Sequence, residues 1–186
     1  TYHLLGRAWL QHPFQLIINA ARGGVVDEQL LLDAMHRGTV RDAVLDVWEG
    51  EPVFSDSSAH SAFIATPHIA GYSREAKTAA ARMVLEQLCD HFSLSFPESA
   101  QPTVPDDALP ELSGITGIAD FLWQINQVDL YDAGLRKLIG KPDHVKSEGF
   151  ASLRTSTPTR FEYKTIIAGY KSRGAEFIPR KAERLL

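Results

Sequence analysis

Three side chains in this sequence could together hold an anion and move a proton. They are Arg22 in Asn19-Ala20-Ala21-Arg22-Gly23-Gly24, Glu51 in Trp48-Glu49-Gly50-Glu51-Pro52, and His68 in Thr66-Pro67-His68-Ile69-Ala70-Gly71. A carboxylate that accepts a hydrogen bond from one imidazole nitrogen fixes the ring and leaves the other nitrogen for proton transfer. A guanidinium grips a carboxylate at two points and polarises an adjacent carbonyl. That combination suits chemistry on a 2-hydroxy acid. Each residue also has a plain structural use: His68 as one of seven histidines, Glu51 as part of a charged loop beside Glu49, Arg22 as the cap of a turn. The functional reading gains from position, because each of the three lies beyond a segment that reads as a strand.

Those segments follow from apolar runs and breakers. Leu16-Ile17-Ile18 is a short strand-type run that ends at the paired glycines Gly23 and Gly24. A helix should follow, capped by Asp27, favoured by Glu28 at its positive end, apolar at Leu30, Leu31, Ala34 and Met35, and stopped at Gly38. Residues 40–47 and 62–65 read as two further strands. Alternating strands and helices predict a parallel sheet, in which ligands gather beyond the carboxyl ends of the strands, where Arg22, Asp46 and His68 fall. From Ser73 a long helix should run to about Phe92, with Ala76, Ala80, Met83, Val84 and Leu88 on one face. Pro97, Pro102, Pro105 and Pro110 then predict an extended linker over residues 93–112. Ile115, Ile118, Leu122 and Ile125 are spaced for a helix, residues 130–139 predict another, and residues 163–168 read as a strand.

Composition narrows the classes. The 186 residues carry a net charge of −4, with 44% hydrophobic and 23% charged residues, the usage of a globular protein rather than a disordered or fibrous one. Apolar runs fall far short of the roughly 18 residues a membrane helix needs, so no membrane partner is expected and a soluble, cytoplasmic protein is the default. Cys89 is the single cysteine, which excludes an intramolecular disulfide and a cysteine-rich zinc site; no metal is expected. Residues 150–186 hold eight basic and three acidic side chains, net +5, but glutamates are interspersed and no aromatic stacking series accompanies them. A solvated surface is expected there rather than a nucleic-acid partner.

Taken together, the stretches around Arg22, Glu51 and His68, separated by 29 and 17 positions, resemble the second half of the NAD-binding domain of D-2-hydroxyacid dehydrogenases. Residues 135–140 (Leu-Arg-Lys-Leu-Ile-Gly), Phe150 with Leu153-Arg154, and Pro158 with Arg160-Phe161-Glu162 are similar to the C-terminal dimerisation domain of a member acting on a phosphorylated 2-hydroxy acid. The resemblance implies an α/β fold: the second half of a Rossmann-type doubly wound parallel sheet over residues 1–92, the Pro-rich linker, and a small α+β dimerisation domain over residues 113–186 of a homodimer. It implies NAD as cofactor, Arg22 as the substrate-orienting catalytic arginine, Glu51 as the partner of the histidine and His68 as acid or base. Ala20, Ala21, Arg22, Asp46 and Gly71 would then contact the cofactor, while Tyr72 joins Arg22 at the substrate. Two other readings stay open, a family member with a different hydroxy acid and a non-catalytic assembly module. The sequence contains no Gly-x-Gly-x-x-Gly turn, which would precede Thr1. These residues alone are therefore expected to bind NAD weakly or not at all and to show no turnover.

Overall fold

The computed structural model describes residues 1–96, 109–156 and 160–175. In chain order the elements are α1 (Arg7–Leu10), β1 (Phe14–Asn19), α2 (Glu28–His36), β2 (Val40–Leu45), α3 (Asp56–Ser61), β3 (Ile64–Ala65), α4 (Arg74–His91), α5 (Ile118–Asn126), α6 (Val128–Arg136), α7 (Asp143–Ser156) and α8 (Tyr163–Ser172). The chain groups into two compact units, Thr1–Ala70 with Val128–Thr157, and Gly71–Gln127 with Pro158–Leu186.

The first unit is built on a parallel sheet of order β1-β2-β3, with Ile17 beside Ala43 and Leu45 beside Ala65. Parallel neighbours need crossovers, and α2 and α3 supply them. Asp27 caps α2 as its position predicts, its side chain accepting from Leu30 N at 3.0 Å, and Gly38 ends the turn after it in the left-handed region at φ 73°. The crossover α3 was not anticipated: its six residues are mostly small and polar, and Ser55 caps it by accepting from Ser58 N. Leu31, Ala34, Val40, Ala43, Leu45, Trp48 and Phe54 belong to one buried core.

Into that same core go Leu135 from α6 and Phe150 from α7. By their contacts residues 128–156 group with residues 1–70. The physical reason is apolar burial: Phe150 lies with its ring centroid 6.3 Å from that of Phe54. Close approach of α6 and α7 is allowed by two glycines, since a Cβ built at Gly134 would lie 2.5 Å from Leu153 Cδ2, and one at Gly149 2.5 Å from Leu138 Cδ2. Lys146, also buried, pairs with Asp56 Oδ1 at 2.7 Å.

The second unit is helical among its described residues. Ser73 caps α4, accepting from Ala76 N at 2.9 Å, where the sequence places it. Met83, Val84 and Leu88 of the expected apolar face are exposed, and Cys89 is the buried residue of this helix. The strand expected over residues 163–168 is corrected to helix α8. Thr165, Ile166 and Ile167 favour a strand by intrinsic preference, but Ile166, Ile167 and Tyr170 are spaced to bury one helical face beside Phe121 and Ile125. Residues 97–108 of the expected linker lie outside the described residues.

Candidate active site

Strand β2 ends at Leu45 and delivers Asp46, which is only 4% exposed. A buried carboxylate needs donors, and this one has three: Thr66 Oγ1 donates to Oδ1 at 2.6 Å, Ile69 N to Oδ1 at 2.8 Å and Ala70 N to Oδ2 at 2.9 Å. The backbone repeats the link, with His68 N donating to Asp46 O at 2.7 Å. These bonds fold residues 66–70 into a turn in which His68 takes a left-handed backbone, φ 54°. For a residue with a Cβ this costs on the order of 1–2 kcal/mol and persists only where its surroundings hold it.

The turn aims the imidazole at Glu51. His68 Nδ1 lies 2.9 Å from Glu51 Oε1 and 3.0 Å from Oε2, and both side chains are about a quarter exposed. With Nδ1–H donating to the carboxylate, Nε2 carries the free lone pair, the arrangement general-base chemistry requires. Glu51 reaches this place because its loop is braced twice. Trp48 Nε1 donates to Thr66 O at 2.9 Å, and the buried carboxylate of Glu28 accepts from Glu49 N. Burial pushes the Glu28 carboxyl above the usual carboxylate range, and the amide of Glu49 acts in the opposite sense.

Arg22 belongs to the adjoining loop. The buried Asn19 closes that loop on itself, Oδ1 accepting from Ala21 N at 3.2 Å and Nδ2 donating to Arg22 O at 3.1 Å. The next residue must be glycine: a Cβ at Gly23 would lie 1.9 Å from Trp48 O. The loop carrying Arg22 is thus pressed onto the segment carrying Glu49 and Glu51. Arg22 is exposed, and its Nη1 donates to Ala21 O at 2.7 Å.

The structure therefore brings His68 and Glu51 into contact, with Asp46 tying the histidine's turn rather than standing free. Ala20 and Ala21 are exposed at the carboxyl end of β1. Gly71 and Tyr72 open the second compact unit, where Gly71 is exposed and Lys77 Nζ sits 3.4 Å from the Tyr72 ring centroid. Sequence reasoning missed Asn19, Gly23 and Glu28 as supports. It also missed His3, whose Nε2 lies 2.5 Å from Glu49 Oε1 and whose ring stacks on Tyr2.

These residues fit one end of a dinucleotide. The exposed residues 20–22 at the carboxyl end of β1 suit a flat, uncharged ring such as nicotinamide, which parallel sheets bind beyond their strand ends. The amino end of α2 does not suit a pyrophosphate, because Asp27 caps it and Glu28 occupies its first turn.

Comparison with known proteins agrees with this geometry. Residues 1–70 match the family described as D-isomer specific 2-hydroxyacid dehydrogenase, NAD binding domain. The chain is 42% identical over 118 residues to an erythronate-4-phosphate dehydrogenase of Porphyromonas gingivalis, covering 61% of this chain and 32% of that protein. It is 36% identical over 171 residues to the enzyme of that name from Azotobacter vinelandii, covering 87% of this chain and 45% of the relative. Against the Acinetobacter baumannii protein of the same name it is 36% identical over 168 residues, 88% of this chain and 46% of the relative. The chain thus spans between 32% and 46% of the length of these curated relatives. The parallel sheet and the strand-end histidine thus coincide with the stretch, residues 1–70, that is similar to the NAD-binding domain of the D-isomer specific 2-hydroxyacid dehydrogenase family.

Proposed function

We propose that this chain is the catalytic-histidine part of an erythronate-4-phosphate dehydrogenase, a cytoplasmic enzyme that oxidises 4-phospho-D-erythronate at its C2 hydroxyl with NAD+ in the synthesis of pyridoxal phosphate (vitamin B6). The observation that carries the reading is the contact of His68 Nδ1 with the Glu51 carboxylate at 2.9 Å, beside the loop bearing Arg22. NAD+, when bound, supplies the hydride acceptor. His68 Nε2 takes the C2 hydroxyl proton as the C2–H bond breaks and the hydroxyl becomes a carbonyl. Glu51 holds the ring so that Nε2 faces the hydroxyl and stabilises the imidazolium that forms. Arg22 turns its fork to the substrate carboxylate, which orients the C2 hydrogen and polarises the developing carbonyl.

Ala20, Ala21, Arg22 and Gly71 would line the nicotinamide side through their backbones. Asp46 would act there through the turn it holds, and Tyr72 would meet the phosphorylated substrate. The pyrophosphate needs a glycine-rich turn from outside these residues, in keeping with the share of the relatives that the chain spans. A homodimer formed through residues 113–186 completes the reading.

The test is His68→Ala in a protein that also carries the glycine-rich half, assayed by NAD+ reduction with 4-phospho-D-erythronate. Loss of a general base lowers kcat on the order of 10²- to 10⁴-fold. Undiminished turnover removes the assignment. Turnover with 3-phosphoglycerate in preference to phosphoerythronate would keep the chemistry and replace the substrate.

A further inference from the structure

The left-handed turn at His68 has two sides. Its amides are held by Asp46, as described above; its carbonyl is reached from far along the chain. Arg154 Nε donates to His68 O at 3.2 Å across a separation of 86 residues. We propose that Arg154 is a positioning residue for His68: its guanidinium pins the carbonyl of the turn and so keeps the imidazole on Glu51. This rests on the reading of His68 as the proton-transfer group.

The placement of Arg154 is built rather than incidental. Helix α7 is fixed upstream by Phe150 in the core beside Phe54 and by the Lys146 pair with Asp56. The residue just before Arg154, Leu153, fills the space that Gly134 leaves open on α6. An arginine in the last turn of a helix commonly serves the helix's own carbonyl ends. Here its Nε bond goes instead to a carbonyl of the histidine turn. Arginine suits the task because its planar fork keeps its charge and its donor geometry at any pH the enzyme meets. The residue also lies outside residues 1–70, the stretch similar to the NAD-binding domain of the family.

The test uses the full chain and two variants, R154M and R154K, read by amide exchange and by the nitrogen chemical shifts of the His68 ring. In the unaltered chain the amides of His68, Ile69 and Ala70 exchange slowly, and the neutral ring carries its proton on Nδ1. In R154M those three amides exchange faster by on the order of tenfold or more, and the Nδ1–H signature averages between the two nitrogens. The amides of β1 and β2 keep their rates, and R154K falls between the two. An unchanged turn and ring signature in R154M overturns the proposal. So does faster exchange spread evenly over β1, β2 and the turn, which is the mark of lost packing alone. Should R154M fail to fold, R154K decides: acceleration confined to the turn supports the role, and no change or a uniform change refutes it. Neither readout needs substrate, so failure of the phosphoerythronate assay with a responsive turn would refute the proposed reaction and leave Arg154 in place.

Discussion

The two compact units differ in what they bury. Among the described residues the first buries Asn19, Glu28, Asp46, Ser58, Thr66 and Lys146, whereas Ser73 is the buried polar residue of the second. Buried polar groups demand partners in fixed places, and those of Asn19, Glu28, Asp46 and Thr66 lie in the loops that carry Arg22, Glu51 and His68. The second unit is held by an apolar cluster around Phe121, Ile167 and Tyr170. Even its buried hydroxyl, Tyr170, is pushed up to about 12 by burial and donates to Pro110 O. Apolar packing tolerates adjustment, while a network of buried polar contacts fixes geometry. The candidate chemistry lies in the unit built the second way.

That contrast can be broken most directly with two aromatic truncations. Phe150→Ala and Phe121→Ala each remove a buried ring, at a cost of about 3–5 kcal/mol. The first is expected to erase exchange protection in β1 and β2 although it lies about a hundred residues away in sequence; the second is expected to leave those strands protected. Protection in β1 that survives Phe150→Ala would undo the grouping of α7 with the sheet. Next in size is Gly23→Ala, whose new Cβ meets Trp48 O. Denaturant unfolding should show a loss of about 2–3 kcal/mol, since backbone rather than a flexible side chain must give way. A loss under about 0.5 kcal/mol would mean that the Arg22 loop is free to shift away from Trp48.

Asp46→Asn sharpens the comparison at its polar centre. The substitution turns one acceptor into a donor facing backbone N–H groups, and should cost about 1–3 kcal/mol. The matching change in the second unit, Ser73→Ala, removes a helix cap worth about 1 kcal/mol. The smallest effect is one of pH. Because the folded carboxyl of Glu28 titrates above its unfolded value, the native state holds the extra proton between those two values, and Glu28 makes stability fall as pH rises through that window. Glu28→Gln removes that fall, so unfolding midpoints of the two proteins should diverge across the window in favour of the variant. Parallel pH profiles would show that Glu28 is not desolvated in its loop.

Much of this was legible in local pattern. The Asp27 cap, the stop at Gly38, the Ser73 cap and the strand ends that present Arg22, Asp46 and His68 are all short-range signals, carried by residue type and spacing. Helix α7 was hidden because Gly140 and Pro142 follow the expected helix over residues 130–139 as breakers, although a proline just ahead of a first helical residue, here Asp143, is equally a beginning. Helix α8 was mistaken for a strand because the β-branched run of Thr165, Ile166 and Ile167 outweighed the spacing of Ile167 and Tyr170 against the core. The braces of the site were out of reach for another reason. Glu28 meets Glu49 across 21 residues and Arg154 meets His68 across 86, and no local pattern encodes such a pairing.

The distance between Arg154 and the residue it holds also sets an order of events. During synthesis the sheet and its histidine emerge from the ribosome well before α7 does, so Trp48 and Phe54 wait with one wall of their core unbuilt until Phe150 follows. A nascent chain stopped short of residue 143 would present that apolar wall to chaperones, and a ribosome-stalling series across residues 143–156 would register the moment at which the half-made core closes.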